Sequence, residues 1–307
     1  MKTLIVRRLV SFIPVLLGVV TITFMLMHLL PGDPAAVMLS RSGASAEQIA
    51  QLREELGLNE PLHIQYLKFI ANAVRGDFGV SIWTRRPVMT MVAEQLPSTL
   101  KLAFTALIVS VVSGTLLGVL AAVYRDSWID RLSIVLSTLG VSMPMFWSSL
   151  LLILLFATTL RWFPSTGQGS LRHLILPATV LGFATMGTTT RTVRSSMVEV
   201  LCETYVTTAR AKGLREVIVI GKHALRNALI PTVTVVGLQF GWLIGGTVVV
   251  ERVFGRQGIG HLLVEAVLWK DFPVVQGGVL VAAVMYLTLN LFIDLLYGFI
   301  DPRIRYD

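Results

Sequence analysis

Long hydrophobic runs are the dominant pattern of the chain. Five of them contain no Asp, Glu, Lys or Arg, and they span residues 9–30, 102–123, 132–160, 174–190 and 229–250. A sixth run, 274–300, has Asp294 as its one charged residue. A helix needs about 20 apolar residues to cross a bilayer, with roughly 17 to 25 tolerated. The pattern therefore predicts an all-α, polytopic membrane protein with six transmembrane helices, of which the fourth is the shortest.

Small residues and prolines inside these runs predict how the helices pack. Four-residue glycine spacings, which let helix backbones approach closely in lipid, occur at Gly114 and Gly118 and at Gly237, Gly241 and Gly245. Pro144 lies in the middle of the third run and is expected to kink that helix, because proline lacks an amide hydrogen and its ring crowds the preceding turn. The glycine spacings are consistent with static helix packing or with helices that slide past each other during gating. The kink is consistent with a hinge or with a fixed bend.

The distribution of Lys and Arg predicts the orientation. With the N-terminus inside, the inner segments carry fourteen of these residues and the short outer loops carry five. Because cytoplasmic loops are the more basic ones, both termini are expected in the cytosol. The net charge of +8 then reflects topology rather than a nucleic-acid footprint, since the charges are split among loops.

The N-terminal apolar run is expected to be retained as the first span. Residues 1–30 have a basic start, but the apolar run is too long for a signal peptide. Cys202 is the one cysteine, and it is therefore expected to be a small side chain rather than part of a disulfide.

The segment 31–101 between the first two spans predicts a folded helical insert outside the membrane. Ser45 and Gln48 have capping-box spacing, and Gly57 can end the helix that follows. A second helix is predicted over 61–75 with Gly76 as its stop. Its apolar face comprises Ile64, Leu67, Ile70, Ala71 and Val74. The insert fits a cap over the span ends or a docking surface for a soluble partner.

The basic segment 191–228 is the most distinctive polar part of the chain. From Leu214 to Leu229, apolar residues recur at helical spacing with charges on the other faces. Such a helix either lies on the membrane surface or inserts into a groove of a cytosolic protein. No phosphate-binding Gly-x-x-x-x-Gly-Lys-Ser/Thr motif occurs in the chain, nor does a catalytic or metal-ligating constellation. The segment is therefore expected to contact a partner that supplies energy.

The loop 251–273 is glycine-dense and leads into a helix predicted over 261–269. It fits a re-entrant cap, or an outer gate that contacts a docked substrate carrier. The candidate residues are Phe254, Arg256, Gln257, Gly258 and Ile259.

Asn290 and Asp294 form a possible intramembrane polar site in the last span. An acidic residue inside a membrane suggests ion coupling or substrate contact. Asp294 is, however, close to the inner end of the span, with Arg303 and Arg305 just beyond it. It therefore also fits an anchor at the interface.

Two polar motifs carry a resemblance to a known family: YVTTARAKGL at 205–214 and HALRNALIP at 223–231. They resemble the coupling-loop signature of ABC importer permeases, and in particular the B-type permease subunit of the dipeptide/oligopeptide branch. LLPGDP at 29–34, GDFG at 76–79 and DPRIR at 301–305 agree, so the resemblance covers nearly the whole chain. Thr207 and Thr208 stand where the general pattern has Glu-Ala, and 225–226 reads Leu-Arg where it has Leu-Pro; both departures are typical of the peptide branch.

The resemblance implies a complex in the bacterial or archaeal inner membrane, with a type I ABC importer permease architecture. The partners would be a homologous second permease subunit, two ATP-binding subunits that hold ATP and Mg, and an extracytoplasmic substrate-binding protein. The chain itself would bind no cofactor and catalyse no reaction. Residues expected to couple it to an ATP-binding subunit are Glu203, Tyr205, Thr208, Ala209, Arg210, Ala211, Lys212, Gly213 and Leu214.

The predicted organisation has three parts: the N-terminus and first span (1–30), the outer helical insert (31–101) and the permease core (102–307). The expected function is uptake of di- or oligopeptides. Nickel, glutathione or oligosaccharides are alternative cargoes for the same architecture. An ion-coupled secondary transporter that uses Asp294 is the alternative of another class.

Overall fold

The computed structural model describes residues 2–29, 34–39, 45–55 and 57–300. Within these ranges the chain is helical, with turns and one isolated bridge between Val80 and Pro87. The helices are α1 (Lys2–Leu29), α2 (Pro34–Leu39), α3 (Ala46–Glu55), α4 (Leu62–Arg75), α5 (Val88–Val123), α6 (Trp128–Ser142), α7 (Met145–Leu152), α8 (Arg172–Leu201), α9 (Thr204–Ala211), α10 (Glu216–Ile218), α11 (Leu225–Val253), α12 (Ile259–Leu268) and α13 (Phe272–Ile300). The prediction of an all-α membrane protein is confirmed.

Four described helical stretches are long and apolar enough to cross a membrane: Arg8–His28, Val88–Val123, Glu216–Val253 and Phe272–Ile293. The pair α6 and α7, the latter extended by a π-helical segment (Ile153–Thr159), makes a fifth if it counts as one span. Helix α8, the predicted fourth span, is more polar, and half of its residues are buried within the protein. The count of six is compatible with this architecture but remains a prediction.

Pro144 breaks the third predicted span more sharply than a kink. Helices α6 and α7 are bent by 111° where the chain passes from Ser142 to Met145. The Pro144 carbonyl accepts hydrogen bonds from the amides of Trp147 and Ser148, so that α7 starts anew after the proline. The segment is therefore a broken span or a re-entrant pair.

Pro97, in contrast, does not interrupt its helix. The end of the predicted insert, from Val88 onward, and the second span form one helix of 36 residues, α5. Proline is tolerated inside long membrane helices, where neighbouring groups satisfy the freed carbonyl.

The described chain forms two compact units. The first comprises Met1–Pro97 and Gly258–Leu291, and its core contains Val88, Val92, Ile259, Ala266 and Val274. The second comprises Ser98–Gln257 and Phe292–Asp307, and its core is built around α8 and α11. The predicted division of the chain at residues 30 and 101 remains a prediction.

The predicted helix signals of the insert are confirmed. The Ser45 amide donates to Gln48 Oε1 (2.9 Å), and the Gln48 amide donates to Ser45 Oγ (3.3 Å), which is a reciprocal capping box. Gly57 and Gly76 have φ values of +66° and +74° after α3 and α4. Glycine adopts this left-handed conformation at little cost, and this is why both helices end there.

Close helix packing around α8 depends on glycines. A Cβ at Gly114 would lie 2.7 Å from the Thr189 Cβ, and one at Gly118 would lie 2.8 Å from the Thr190 carbonyl oxygen. The predicted close approach at this pair is therefore present, between α5 and α8. On α11 the approach occurs at Gly246, where a Cβ would lie 3.0 Å from Leu181, whereas Gly245 has no atom of the described chain within 4 Å.

Candidate functional site

Helix α9 carries the segment expected to contact a motor subunit, and its inner face anchors it to the rest of the chain. Val206 and Ala209 are buried against Val219, with Val200 and Leu201 packed around them. These apolar residues three apart form one stripe of the short helix. The opposite face is left to solvent or to a partner.

Gly213 ends α9 with a turn whose left-handed backbone conformation favours glycine. Its φ is +74°, and its amide donates to the Arg210 carbonyl (2.9 Å). The Leu214 amide donates to the Ala209 carbonyl (3.4 Å). These two bonds define a Schellman motif with glycine at its left-handed position. A Cβ at Gly213 would meet no atom of the described chain within 4 Å, so the constraint is conformational rather than steric.

Two side-chain contacts hold α9 in place across this turn. Arg210 donates from Nη2 to Glu216 Oε1 (2.7 Å) and from Nε to both carboxylate oxygens. This hydrogen-bonded carboxylate raises the pKa of the Arg210 guanidinium above its ordinary value, so the residue is a permanent cation. Asn227 on α11 donates to the Tyr205 hydroxyl oxygen (2.7 Å). The loop is thus tied to α10 on one side and to α11 on the other.

Eight of the nine residues predicted to couple the chain to an ATP-binding subunit are exposed, and Ala209 is the buried one. The exposed ones are Glu203, Tyr205, Thr208, Arg210, Ala211, Lys212, Gly213 and Leu214. Val217, with 82% of its surface exposed, and Ile218 extend the apolar part of this surface. We call these ten exposed residues the coupling surface. Their role in coupling remains a prediction.

The amphipathic segment after the turn is not a separate helix. Helix α10 continues through a π-helical segment (Val219–Ala224) directly into α11. Val219 and Ala224 of the π-helical segment are buried. A displacement of the coupling surface would therefore act on a continuous helical stretch from Glu216 to Val253.

The five predicted outer residues have different environments. Phe254 is buried in the core of the second unit, and Ile259 in that of the first. Gly258 precedes α12 as its N-cap. Gln257 is exposed and accepts a hydrogen bond from Gln168 (3.2 Å). Arg256 is buried, which lowers the pKa of its guanidinium, although nearby Glu251 raises it. Their role as a gate or docking site remains a prediction.

The possible intramembrane polar site at Asn290 and Asp294 remains a prediction. Asn290 is half-buried on α13. The side chain of Asp294, together with Arg303 and Arg305, lies outside the described residues. Among the described residues, no three His, Cys, Asp or Glu side chains come together as a metal site.

Two buried polar links were not predicted. Arg194 of α8 donates from Nε and Nη2 to the two carboxylate oxygens of Asp130 on α6, both at 2.7 Å. The Asp126 amide donates to the same carboxylate (3.0 Å). Asp130 stands three residues after Ser127, which is the N-cap of α6, and this spacing of a cap and an acid was the available signal.

The second link joins α8 to α11. Gln239 donates to the Thr185 carbonyl (3.0 Å) and accepts from the Thr189 hydroxyl (3.1 Å). All three residues are buried. Such interhelical hydrogen bonds satisfy polar groups away from water, and they explain how α8 can be polar and still lie at the centre of its unit.

Comparison with known proteins defines the class of this chain. A family model of the binding-protein-dependent transport system inner membrane component matches residues 114–306, and the model of its N-terminal part matches residues 1–103. The chain therefore belongs to the family of binding-protein-dependent transport system inner membrane components. The resemblance to ABC importer permeases inferred from the motifs is confirmed.

Individual relatives include the glutathione transport system permease protein GsiC of Salmonella typhimurium (strain LT2), 45% identical, and that of Escherichia coli (strain K12), 44% identical. Each comparison covers 100% of both chains. Among solved structures, the inward-facing MetNI methionine ABC transporter matches with a TM-score of 0.58 and 20% identity, over 69% of this chain and 97% of that one. An amino acid ABC transporter matches with a TM-score of 0.52 and 14% identity, over 68% and 94%. The two structures support the fold alone.

Proposed function

We propose that this chain is the pore-forming subunit of an ATP-driven importer for short peptides, with glutathione among the candidate cargoes. Family membership supports the class, and the full-length similarity to glutathione permeases supports a small peptide as the substrate. Nickel and oligosaccharides remain alternatives for the same architecture.

The observation that carries the proposal is the coupling surface. It combines exposed apolar residues, Leu214, Val217 and Ile218, with the cations Arg210 and Lys212. An isolated protein gains nothing from exposing such a cluster on a tightly fixed turn. A cleft on a cytosolic ATP-binding subunit would bury the apolar side chains and supply an acidic partner for Lys212.

In the proposed complex, ATP hydrolysis and translocation are carried out by different subunits. Two ATP-binding subunits hold ATP and Mg and hydrolyse the nucleotide, while this chain binds no cofactor and catalyses no reaction. A second, homologous permease subunit completes the channel, and a substrate-binding protein delivers cargo from outside. Both termini lie in the cytosol, as the basic inner loops indicate.

The contacts of α9 suggest how a movement of the ATP-binding subunits reaches the transmembrane helices. When the ATP-binding subunits close, they shift α9, and the Arg210–Glu216 and Tyr205–Asn227 contacts transfer that shift to α10 and α11. Because α10 and α11 form a continuous helical stretch, the movement reaches the transmembrane part of α11 without an intervening loop.

Gly213→Pro tests the proposal. Proline cannot adopt a φ of +74° and lacks the amide that bonds to Arg210, so we expect a cost of about 3 kcal/mol or more for the native turn. That corresponds to a population of the native turn roughly a hundredfold lower. In a complex reconstituted with its binding protein, uptake of labelled glutathione or dipeptide should be lost while ATP hydrolysis persists.

Gly213→Asn is the matched control, because asparagine tolerates the left-handed region, and it should retain uptake. Both variants should insert normally, since a Cβ at residue 213 would meet no atom of the described chain within 4 Å. Normal uptake by Gly213→Pro would refute the assignment of this loop.

A further inference from the structure

Helix α4 has an apolar face that no described part of the chain covers. Leu67 and Val74 have 62% and 83% of their surface exposed, and Ile64 and Ala71 are exposed beside them. No residue of this 14-residue helix is buried. In a cap surrounded by water, the apolar stripe would be expected to turn toward the protein. Here it turns away.

A different face of α4 attaches it to α1. The hydroxyl groups of Tyr66 and Thr21 lie 2.6 Å apart. The ring of Phe24 lies 5.3 Å from that of Tyr66 and 5.9 Å from that of Phe69, measured between centroids. At 3.6 residues per turn, Tyr66 and Phe69 lie about 100° and about 160° around the axis of α4 from Leu67. The apolar face therefore cannot also contact α1.

The attachment points place α4 at the depth of the membrane. They begin at Thr21 and end at His28, whose Nε2 lies 3.2 Å from Gln65 Oε1. Both α1 residues belong to the membrane-spanning stretch Arg8–His28. Seven residues of helix correspond to about 10 Å. Helix α4 thus lies beside the last third of the first span rather than beyond its end.

Neighbouring residues of α1 at this depth are exposed and apolar. They are Ile22, Met25 and Leu26. A bilayer that surrounds the span contacts these side chains, and its hydrocarbon continues onto whatever apolar surface lies next to them.

We propose that α4 is an amphipathic helix embedded in the leaflet at which α1 ends, with Leu67 and Val74 among the acyl chains. Its third, polar edge carries Lys68, Asn72 and Arg75, and Lys68 pairs with Glu60 at 2.6 Å. This edge meets the headgroups and water, as in other interfacial helices. The occupant of the apolar face is lipid and not a soluble protein. This inference concerns membrane attachment and does not depend on the transported substrate.

Spin labels on α4 test the proposal. The full complex is reconstituted into phosphatidylethanolamine–phosphatidylglycerol vesicles after Cys202→Ser removes the native thiol. Nitroxides are attached at Leu67→Cys and Val74→Cys, and at Asn72→Cys on the polar edge as the control. Collision with oxygen, which concentrates in hydrocarbon, is compared with collision with a water-soluble nickel chelate. The oxygen-to-nickel ratio should be several-fold higher at the two apolar positions than at Asn72.

Three results would overturn the proposal. Nickel access at the apolar positions equal to that at Asn72 would place the face in water. Protection from both reagents would indicate that another protein subunit covers it. Nickel access that disappears only when the substrate-binding protein is added would assign the face to that soluble partner. Should one of the two variants fail to assemble, the other probes the same face.

Discussion

Arg194→Gln is expected to lower the free energy of unfolding by about 3–5 kcal/mol, because it leaves the Asp130 carboxylate buried without its cation. Only 4% of the Asp130 side chain is exposed, and Arg194 donates to both of its oxygens. For a unit of this size, each kcal/mol lowers Tm by about 2–4 °C. Thermal unfolding of the purified chain in detergent measures the effect.

Arg86→Gln is the matched control, since Arg86 forms a similar contact with Glu94 but both side chains are half-exposed. Exposed pairs contribute about 0–1 kcal/mol, so its Tm should hardly change. Replacing both members, as in Asp130→Asn with Arg194→Gln, should recover part of the loss, because no unpaired charge is then buried. Equal Tm values for Arg194→Gln and Arg86→Gln would contradict a structural role for the buried pair.

Gly187→Val should be similarly damaging for a steric reason. A Cβ at Gly187 would overlap the carbonyl oxygen of Ser137, which is backbone and cannot rotate away. Overpacking usually costs 1–3 kcal/mol and occasionally more, and a clash with backbone belongs at about 3 kcal/mol or above. The variant is expected to separate α6 from α8, seen as a lower Tm and as new protease cleavage between these helices.

Gly245→Val provides the comparison within the same unit. Gly245 is exposed, and no atom of the described chain lies within 4 Å of the position of its Cβ. Both substitutions add the same isopropyl group and the same helix penalty, so the difference between their Tm values isolates the effect of packing. A Tm for Gly187→Val as high as that for Gly245→Val would show that α6 and α8 can separate without cost.

Local chemistry explains which features were predictable from the sequence. The capping box of Ser45 and Gln48 and the helix stop at Gly76 depend on residue types a few positions apart, and they were predicted at the correct residues. The pair of Asp130 and Arg194 depends on residues 64 positions apart, which no local pattern connects. In the sequence Arg194 resembles any other charge of a basic loop.

The apolar face of α4 shows a second limit. Periodicity identified Leu67 and Val74 as members of one apolar stripe, and the helix is present with that stripe. Periodicity does not distinguish a stripe that faces protein from one that faces lipid, because both media are apolar. The polar and aromatic residues between the stripe positions, Tyr66 and Phe69, determine the orientation through α1.

Helix α8 shows why charge-free runs are an incomplete guide to spans. The run 174–190 was recognised because it lacks charges, yet its threonines make α8 more polar than the four helical stretches that are apolar enough to cross a membrane. Thr185 and Thr190 donate to carbonyls of their own helix, and Gln239 satisfies further groups. A helix enclosed by other helices needs less hydrophobicity than one surrounded by lipid.

The break at Pro144 has a consequence for water. Helix α6 has 15 residues, or about 22 Å at 1.5 Å per residue, which is less than the roughly 30 Å of a bilayer's hydrocarbon core. The chain therefore turns by 111° at a depth where solvent is normally absent. In the first turn of α7 the amides of Trp147 and Ser148 bond to the Pro144 carbonyl, whereas those of Met145 and Phe146 have no acceptor within the helix. Hydrocarbon offers these two amides no hydrogen-bond acceptor, so this corner requires a hydrated crevice or a polar neighbour within the membrane.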